Sequence, residues 1–352
     1  MKLSKILTCY IATFSVPVAI AWPGIAGLAK RIAQSDQPAP SEELIGDLKY
    51  GATTPTGRLI AGIFQGQIEA QSSEAGYTAP GPLGSAKCRK DVCCVWSHVS
   101  DELTKLFLGP TSRCNDNARA AIRLGFHDAG SWSKALAAQG QDFGGADGSI
   151  VLSQDEESRI ENKGLEEIIS KTRKLGKKFN VGYGDLIQFM AIHAVVTCPL
   201  GPRFRVFVGR KDSYTAAPTG LIPDVNAPAD ALLSLFEDKT ISGLDLISLV
   251  GAHSTSRQFF VDLAKKGEPQ DDTPGVWDIK FYNVTLEQDP PAGVFKFPSD
   301  VKLSTYPTLA SSWRTFTDPV AGQLIWNGLY SRAYTRLSLL GVNNINSKFS
   351  DS

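Results

Sequence analysis

From Cys88 onward, apolar residues recur three and four positions apart, and this spacing predicts helices over Val95–Leu108, Ala118–Phe126, Leu165–Leu175, Tyr183–Val196 and Ser242–His253. Loops rich in Gly, Pro and Asp separate them. Period-two alternation is scarce, and Phe204–Val208 is the best candidate strand. The expected fold class is therefore mainly α. Upstream, residues 22–86 are rich in Pro, Gly, Ser, Thr and Gln and read as a linker or pro-segment, with Lys30-Arg31 as a candidate processing site. Leu59, Ile60, Ile63, Phe64 and Ile68 have helical spacing that suits a short docking helix, although a flexible surface extension is the preferred reading. Residues 1–21 read as a secretory leader: Lys2 and Lys5 precede the apolar run Ile6–Ile20, and Ala19-Ile20-Ala21 is a small-x-small cleavage site. Pro17 interrupts that run, and no later stretch approaches the ~18 apolar residues of a membrane span.

Composition narrows the function. A chain of 352 residues with 42% hydrophobic and 20% charged residues can bury a core and is long enough for two domains. Lys+Arg 36 against Asp+Glu 36 leaves no electrostatic case for nucleic acid or an anionic membrane as a partner. There are four histidines (His98, His127, His193, His253) and two methionines, so any imidazole chemistry rests on those four, and methionine ligation of a metal is not expected. Removing Cys9 with the leader leaves five cysteines, enough for two disulfides and one leftover thiol in an oxidising compartment, with the pairs undetermined. None has zinc-type spacing.

Two histidine segments carry the chemistry. Arg123 and His127, four apart in RLGFHDAG, share one helix face. A neutral imidazole beside a guanidinium suits a site where a proton leaves a bound molecule and negative charge develops. Gly125 in that helix costs ~1 kcal/mol relative to Ala, which points to a close neighbour on the backbone. Asp128 with Gly145, Asp147 and Ser149 of GGADGS offers hard oxygen donors of the calcium type. The second segment opens on a capping pair, Ser242 and Asp245, and runs along an apolar stripe to His253-Ser254. Asp271, Thr273 and Asp278 follow in DDTPGVWD and could join Ser254 as a second hard-cation site.

Together RLGFHDAG, GGADGS, Glu161-Asn162-Lys163-Gly164-Leu165 and LVGAHS resemble the plant and fungal haem peroxidase superfamily, most closely its secreted fungal class II group, over roughly residues 88–345. The resemblance implies a two-domain, mainly α haem peroxidase fold: a distal domain at 87–212, a proximal domain at 213–345 and a tail at 346–352. It implies one haem b between the domains and one structural calcium in each. It makes His127 the distal acid–base, Arg123 its partner in peroxide cleavage, and Asn162 the residue that orients the distal imidazole, with Glu156 supporting the network. Phe126 becomes a cofactor neighbour, where the intracellular class has Trp. His253 becomes the axial iron ligand and Asp300 the carboxylate behind it. Asp128, Gly145, Asp147 and Ser149 would bind the distal calcium; Ser254, Asp271, Thr273, Val276 and Asp278 the proximal one. The implied partners are hydrogen peroxide and small, phenolic reductants, with the protein secreted and monomeric. The competing expectation is a secreted, calcium-stabilised helical domain that binds without turnover.

The chain also departs from its relatives. The three acids of a manganese site fall on Asp116, Ala120 and Phe259, and the position of a surface catalytic Trp holds Ser248. Gln270 stands where Phe is usual. The family framework implies Cys88–Cys94 and Cys114–Cys198 bridges. Cys93 is then expected free, with exchange into the first pair or an intermolecular bridge as alternatives. Asn283-Val-Thr285 is a glycosylation sequon.

Overall fold

The computed structural model describes residues 39–347 except Ala75, so the expected leader, Lys30-Arg31 and residues 348–352 lie outside the described residues. Eleven helices of seven residues or more carry the fold. They are α1 (Pro55–Phe64), α2 (Val92–Phe107), α3 (Asp116–Ala129), α4 (Glu166–Phe179), α5 (Tyr183–Thr197), α6 (Ala229–Asp238), α7 (Gly243–Val250), α8 (Lys280–Leu286), α9 (Pro298–Ser304), α10 (Ala310–Phe316) and α11 (Gly322–Leu337). Among the described residues, none is long and apolar enough to cross a membrane.

The expected helices are present, and their ends follow local chemistry. Asn115 begins α3 by accepting hydrogen bonds from the backbone N–H groups of Asn117 and Ala118. Ser242 Oγ accepts from the N–H of Asp245 at the start of α7, as the capping pair predicts. One boundary differs. α7 ends at Val250, and Gly251–Thr255, with His253 in its middle, tightens into a 3-10 turn. Gly251 is jammed against the partners of α7: a Cβ there would lie 2.3 Å from Tyr282 Oη and 2.4 Å from the Trp326 indole nitrogen.

The strand expected at Phe204–Val208 does not form. Phe204 and Val206 are buried as period two requires, but they sit in isolated bridges rather than a ladder, Phe204 in an antiparallel one with Gln71. Its neighbour along residues 70–72 is too short to extend a ladder.

The main core lies between α3 and α5 and between α7 and α11. The cavity described below runs between these two pairs. Gly125 of α3 has the close neighbour its sequence position implies, because a Cβ would lie 2.5 Å from Ala191 Cβ and 2.2 Å from Tyr334 Oη. All five described tryptophans are buried.

Over residues 41–64 the flexible-extension reading gives way. Leu48, Ile60, Ile63 and Phe64 are fully buried, and α1 packs on α11. Each buried side chain of this size contributes about 1.5–3 kcal/mol toward docking the segment. Polar ties fix it. Asp47 accepts hydrogen bonds from the N–H groups of Ile345 and Asn346, and Arg332 and Arg336 donate to the carbonyl of Ser41.

Cys88–Cys94 and Cys114–Cys198 are bridged, with Cα separations of 5.2 and 4.7 Å. The free-thiol expectation for Cys93 is corrected, since Cys93 is disulfide-bonded as well. That expectation followed from the family framework, which pairs this cysteine with one near the C-terminus, where this chain has Ser350.

Candidate active site

A cavity of about 950 Å³ is lined by Arg123, Phe126 and His127 of α3, by Leu246 and Leu249 of α7, and by His253. His127 and His253 meet one space here, while His98 and His193 are engaged elsewhere. His98 Nε2 lies 3.1 Å from the Gly81 carbonyl, and His193, fully buried, has Nε2 2.9 Å from Thr104 Oγ1.

On the α3 side the hydrogen bonds fix a tautomer. Asn162 Nδ2 donates to the Glu156 carbonyl at 2.8 Å, so its Oδ1 is the atom that meets His127 Nδ1, also at 2.8 Å. An amide oxygen only accepts, and Nδ1 must therefore carry the proton. Nε2 is left as a lone pair, which accepts from Arg123 Nε at 3.2 Å. Burial above all, and then the Arg123 charge, pushes the His127 pKa down to about 3, against a smaller opposing effect of Asn162. Arg123 is itself lowered to about 10 by burial and stays cationic at neutral pH. Its two terminal nitrogens donate to the carbonyls of Lys163 and Glu161, so the guanidinium is held rigidly in place.

On the α7 side, His253 Nδ1 lies 2.8 Å from Asp300 Oδ2, and Asp300 is almost fully buried at the first turn of α9. The carboxylate accepts a hydrogen bond from Nδ1–H and leaves Nε2 open. Phe281 and Phe297 meet the imidazole edge-on, with ring centres 5.8 and 5.2 Å away, and clamp its plane.

Two acid clusters flank these histidines. Asp128, next to His127, is fully buried and accepts from the N–H of Gly148, while Asp147 accepts from the N–H of Ser149. Gly145, at φ +92°, turns the chain so that its carbonyl accepts from Asp147 N–H. Burial, followed by the charges of Asp147 and Glu156, holds the Asp128 carboxyl well above the usual range, and burial also raises Asp147. Beside His253, Thr273 Oγ1 donates to Asp278 at 2.8 Å, and Ser254 Oγ donates to the Val276 carbonyl. Asp271 is pushed up to about 7, chiefly by burial, and burial raises Asp278 too. Of the seven buried side-chain polar atoms without a hydrogen-bond partner among the described residues, one is Ser149 Oγ and another is Asp271 Oδ2, one in each cluster. Buried carboxylates that repel one another and orphaned oxygens beside them fit a divalent, oxygen-loving cation at each cluster. Cys88, Cys94 and His98 also lie together, but the two sulfurs are spent on their disulfide.

The peroxidase family model matches residues 99–319. A peroxidase of Coprinopsis cinerea is 34% identical over 290 residues, covering 75% of this chain and 78% of the relative. A peroxidase of Arthromyces ramosus is 34% identical over 286 residues, 76% of each chain. A versatile peroxidase of Pleurotus eryngii is 30% identical over 271 residues, 72% of each. The chain belongs to the peroxidase family. Its relatives are fungal class II peroxidases, and it is a haem peroxidase, an oxidoreductase that uses hydrogen peroxide.

The cavity fits the haem that this family implies. Its volume is at the upper end of the ~300–1,000 Å³ of ligand pockets, and Ile122, Phe126, Leu246, Leu249 and Phe297 make much of its wall apolar. Each imidazole that faces it has its other nitrogen held by an acceptor, as a metal-facing or proton-carrying histidine requires. The positions that differ from other class II peroxidases are also placed. Asp116 is exposed and paired with Arg119, Phe259 lies on an apolar loop, and Ser248 is fully buried. Gln270, almost fully buried, accepts from Ser256 Oγ and donates to the Phe295 carbonyl.

Two contributions escape sequence reasoning. Gln188 of α5 donates to the Gly125 carbonyl and lies 3.4 Å from Asp128, and Tyr334 of α11 donates to Gln188 Oε1. They tie the histidine-bearing helix to both neighbours, and no local motif announces them. Glu156 acts differently from the implied role: its backbone carbonyl holds Asn162, while its carboxylate accepts from the N–H of Ala217.

Proposed function

We propose that this chain is a secreted, monomeric peroxidase that reduces hydrogen peroxide at a single haem b and draws electrons one at a time from small phenolic reductants, with one structural calcium on each side of the haem. Haem, when bound, supplies the iron that takes up peroxide and the oxidising equivalents that pass to the reductant.

His253 would hold the iron through Nε2. Asp300, hydrogen-bonded to Nδ1, raises the donor strength of that nitrogen and fixes the ring. Phe126 would line the haem face beside His127. The unprotonated Nε2 of His127 takes a proton from bound peroxide and returns it to the departing oxygen, while the Arg123 guanidinium stabilises the negative charge that develops there. Asn162 keeps the proton on Nδ1, so that Nε2 stays the working nitrogen. Asp128, Gly145, Asp147 and Ser149 would hold the distal calcium; Ser254, Asp271, Thr273, Val276 and Asp278 the proximal one. Gly145 and Val276 would contribute backbone carbonyls. The leader-like N-terminus and the disulfides support secretion.

The observation that carries this reading is a histidine held neutral, with its tautomer fixed and a guanidinium 3.2 Å away, lining one cavity with a carboxylate-backed histidine. The test is an absorption spectrum of the calcium-loaded protein before and after one equivalent of peroxide, followed by a phenol. A Soret band that shifts with peroxide and returns with the phenol is the expected result. A band indifferent to peroxide, or no haem absorbance after reconstitution with hemin, overturns the reading and favours the binding domain without turnover.

A further inference from the structure

Gly125 and Asp128, three apart on α3, lie on the side of the helix turned away from Arg123 and His127. A single side chain holds both. Gln188 of α5, fully buried, places Nε2 3.1 Å from the Gly125 carbonyl and 3.4 Å from Asp128 Oδ2. A carbonyl only accepts, so the amide has one possible orientation and both its hydrogens point at α3. Its oxygen is held in turn by the Tyr334 hydroxyl of α11, 3.0 Å away.

The packing leaves no slack around this grip. Ala191, one turn beyond Gln188 on α5, closes on Gly125 so tightly that a Cβ there would lie 2.5 Å from its own. The same added Cβ would meet Tyr334 Oη at 2.2 Å. With α3 pressed against both neighbours, the Gln188 bonds decide how the helix is rolled about its axis. A side-chain tip stands about 5–6 Å from a helix axis, so a roll of roughly 10° displaces it by about 1 Å. A misplacement of that size can cost on the order of 10²-fold in rate.

We propose that Gln188 is a positioning residue for the peroxide step. By gripping the back of α3 at Gly125 and Asp128, with Tyr334 fixing the direction of its amide, it sets where His127 Nε2 and the Arg123 guanidinium stand. Gln188 does not itself line the cavity, and its effect passes through the helix. The inference rests on His127 as the proton carrier and adds the device that aims it.

The experiment uses the holoenzyme and the variants Gln188→Met, Tyr334→Phe and His127→Leu, with Gln188→Met also built on His127→Leu. Gln188→Met keeps the length of the side chain and removes its hydrogen bonds; Tyr334→Phe keeps the ring and removes only the hydroxyl. Stopped-flow mixing with peroxide reads the step in question. Cyanide gives a second reading without oxidation, because hydrogen cyanide must surrender its proton to a nearby base as it binds. Gln188→Met should slow the peroxide step about 10–100-fold and cyanide association by a comparable factor, and Tyr334→Phe should slow both about three-fold. Haem content and the rate of the later phenol step should stay near wild type, which a general loosening of the fold would not allow. On the His127→Leu background the Gln188→Met effect should shrink to about two-fold or less, because the group being aimed is gone. Unchanged peroxide and cyanide rates in Gln188→Met overturn the proposal, and so does a full Gln188→Met effect in the absence of His127. Where Gln188→Met does not retain haem, Tyr334→Phe decides by the same two rates, and wild-type values there overturn it. A wild-type peroxide rate in His127→Leu would instead sink the peroxidase reading itself.

Discussion

The two histidines that face the cavity are backed by different acceptors. His127 leans on a neutral amide, Asn162, and sits beside a cation; His253 leans on a buried carboxylate, Asp300. An amide fixes the tautomer without adding negative charge, so the ring remains a weak base that can take a proton and give it back. A carboxylate fixes the tautomer and also pushes electron density toward the far nitrogen, which suits permanent ligation. On the proposed reading, proton shuttle and metal ligand would differ by one oxygen for nitrogen exchange in the residue behind the ring.

Mutation can break that contrast from either side. His127→Leu should keep haem and slow the reaction with peroxide by at least about 10²–10⁴-fold in stopped-flow measurements. Asp300→Asn should weaken the hold that His253 would have on the haem iron, raise the reduction potential measured by spectroelectrochemistry and cost about 10–100-fold in haem affinity or activity. Asn162→Asp, which gives the distal ring a carboxylate like that of the proximal one, should act mainly on the pH profile. The wild-type His127, lowered to about 3 chiefly by burial, stays neutral through the mildly acidic range, so the peroxide rate should be flat there. A new negative charge raises that pKa, and the acid limb of the rate profile should move to higher pH.

Smaller effects concern what the two sides share. Chelating calcium should lower Tm on the order of 5–10 °C at neutral pH, because buried carboxylates on both sides lose their counterion. The sign of its pH dependence follows from Asp271, whose folded pKa without a cation is about 7, above its unfolded value. Such a group loses stability as pH rises from its unfolded pKa toward 7, so the chelator effect in calorimetry should be small in acid and grow toward neutrality. Asp116→Ala should change least. It breaks one exposed pair with Arg119, worth about 0–1 kcal/mol, and leaves phenol oxidation intact; a large loss of Mn(II) oxidation would reveal a metal site that Ala120 and Phe259 argue against.

Much of the site is legible in the sequence because its parts are local. Arg123 and His127 need only a helix to share a face, and Gly125 announces a close neighbour because glycine in a helix is costly. The acids sit within a few residues of turns that gather them. What the sequence does not disclose is nonlocal. Gln188 and Tyr334 reach Gly125 and Asp128 from helices far along the chain, and nothing nearby distinguishes them from ordinary helix residues. The end of α7 is misplaced by periodicity for a related reason, since the packing of Tyr282 and Trp326 on Gly251 tightens the turn that carries His253. Proline and glycine content made residues 41–64 look dispensable, although their apolar spacing was that of a buried helix.

That segment alters how the ends of the protein should be regarded. The carbonyl of Ser41 takes bonds from Arg332 and Arg336, its N–H is bound 2.8 Å from Asp245 at the head of α7, and the Arg336 guanidinium lies 4.4 Å over the ring of Phe64. Loss of residues 41–64 would take the Ser41 carbonyl from half-buried Arg332 and buried Arg336 and strip the cover from the last long helix. Trimming or tagging inside this stretch therefore counts as core surgery, and an expression vector that begins at Cys88 would encode a different, weaker molecule.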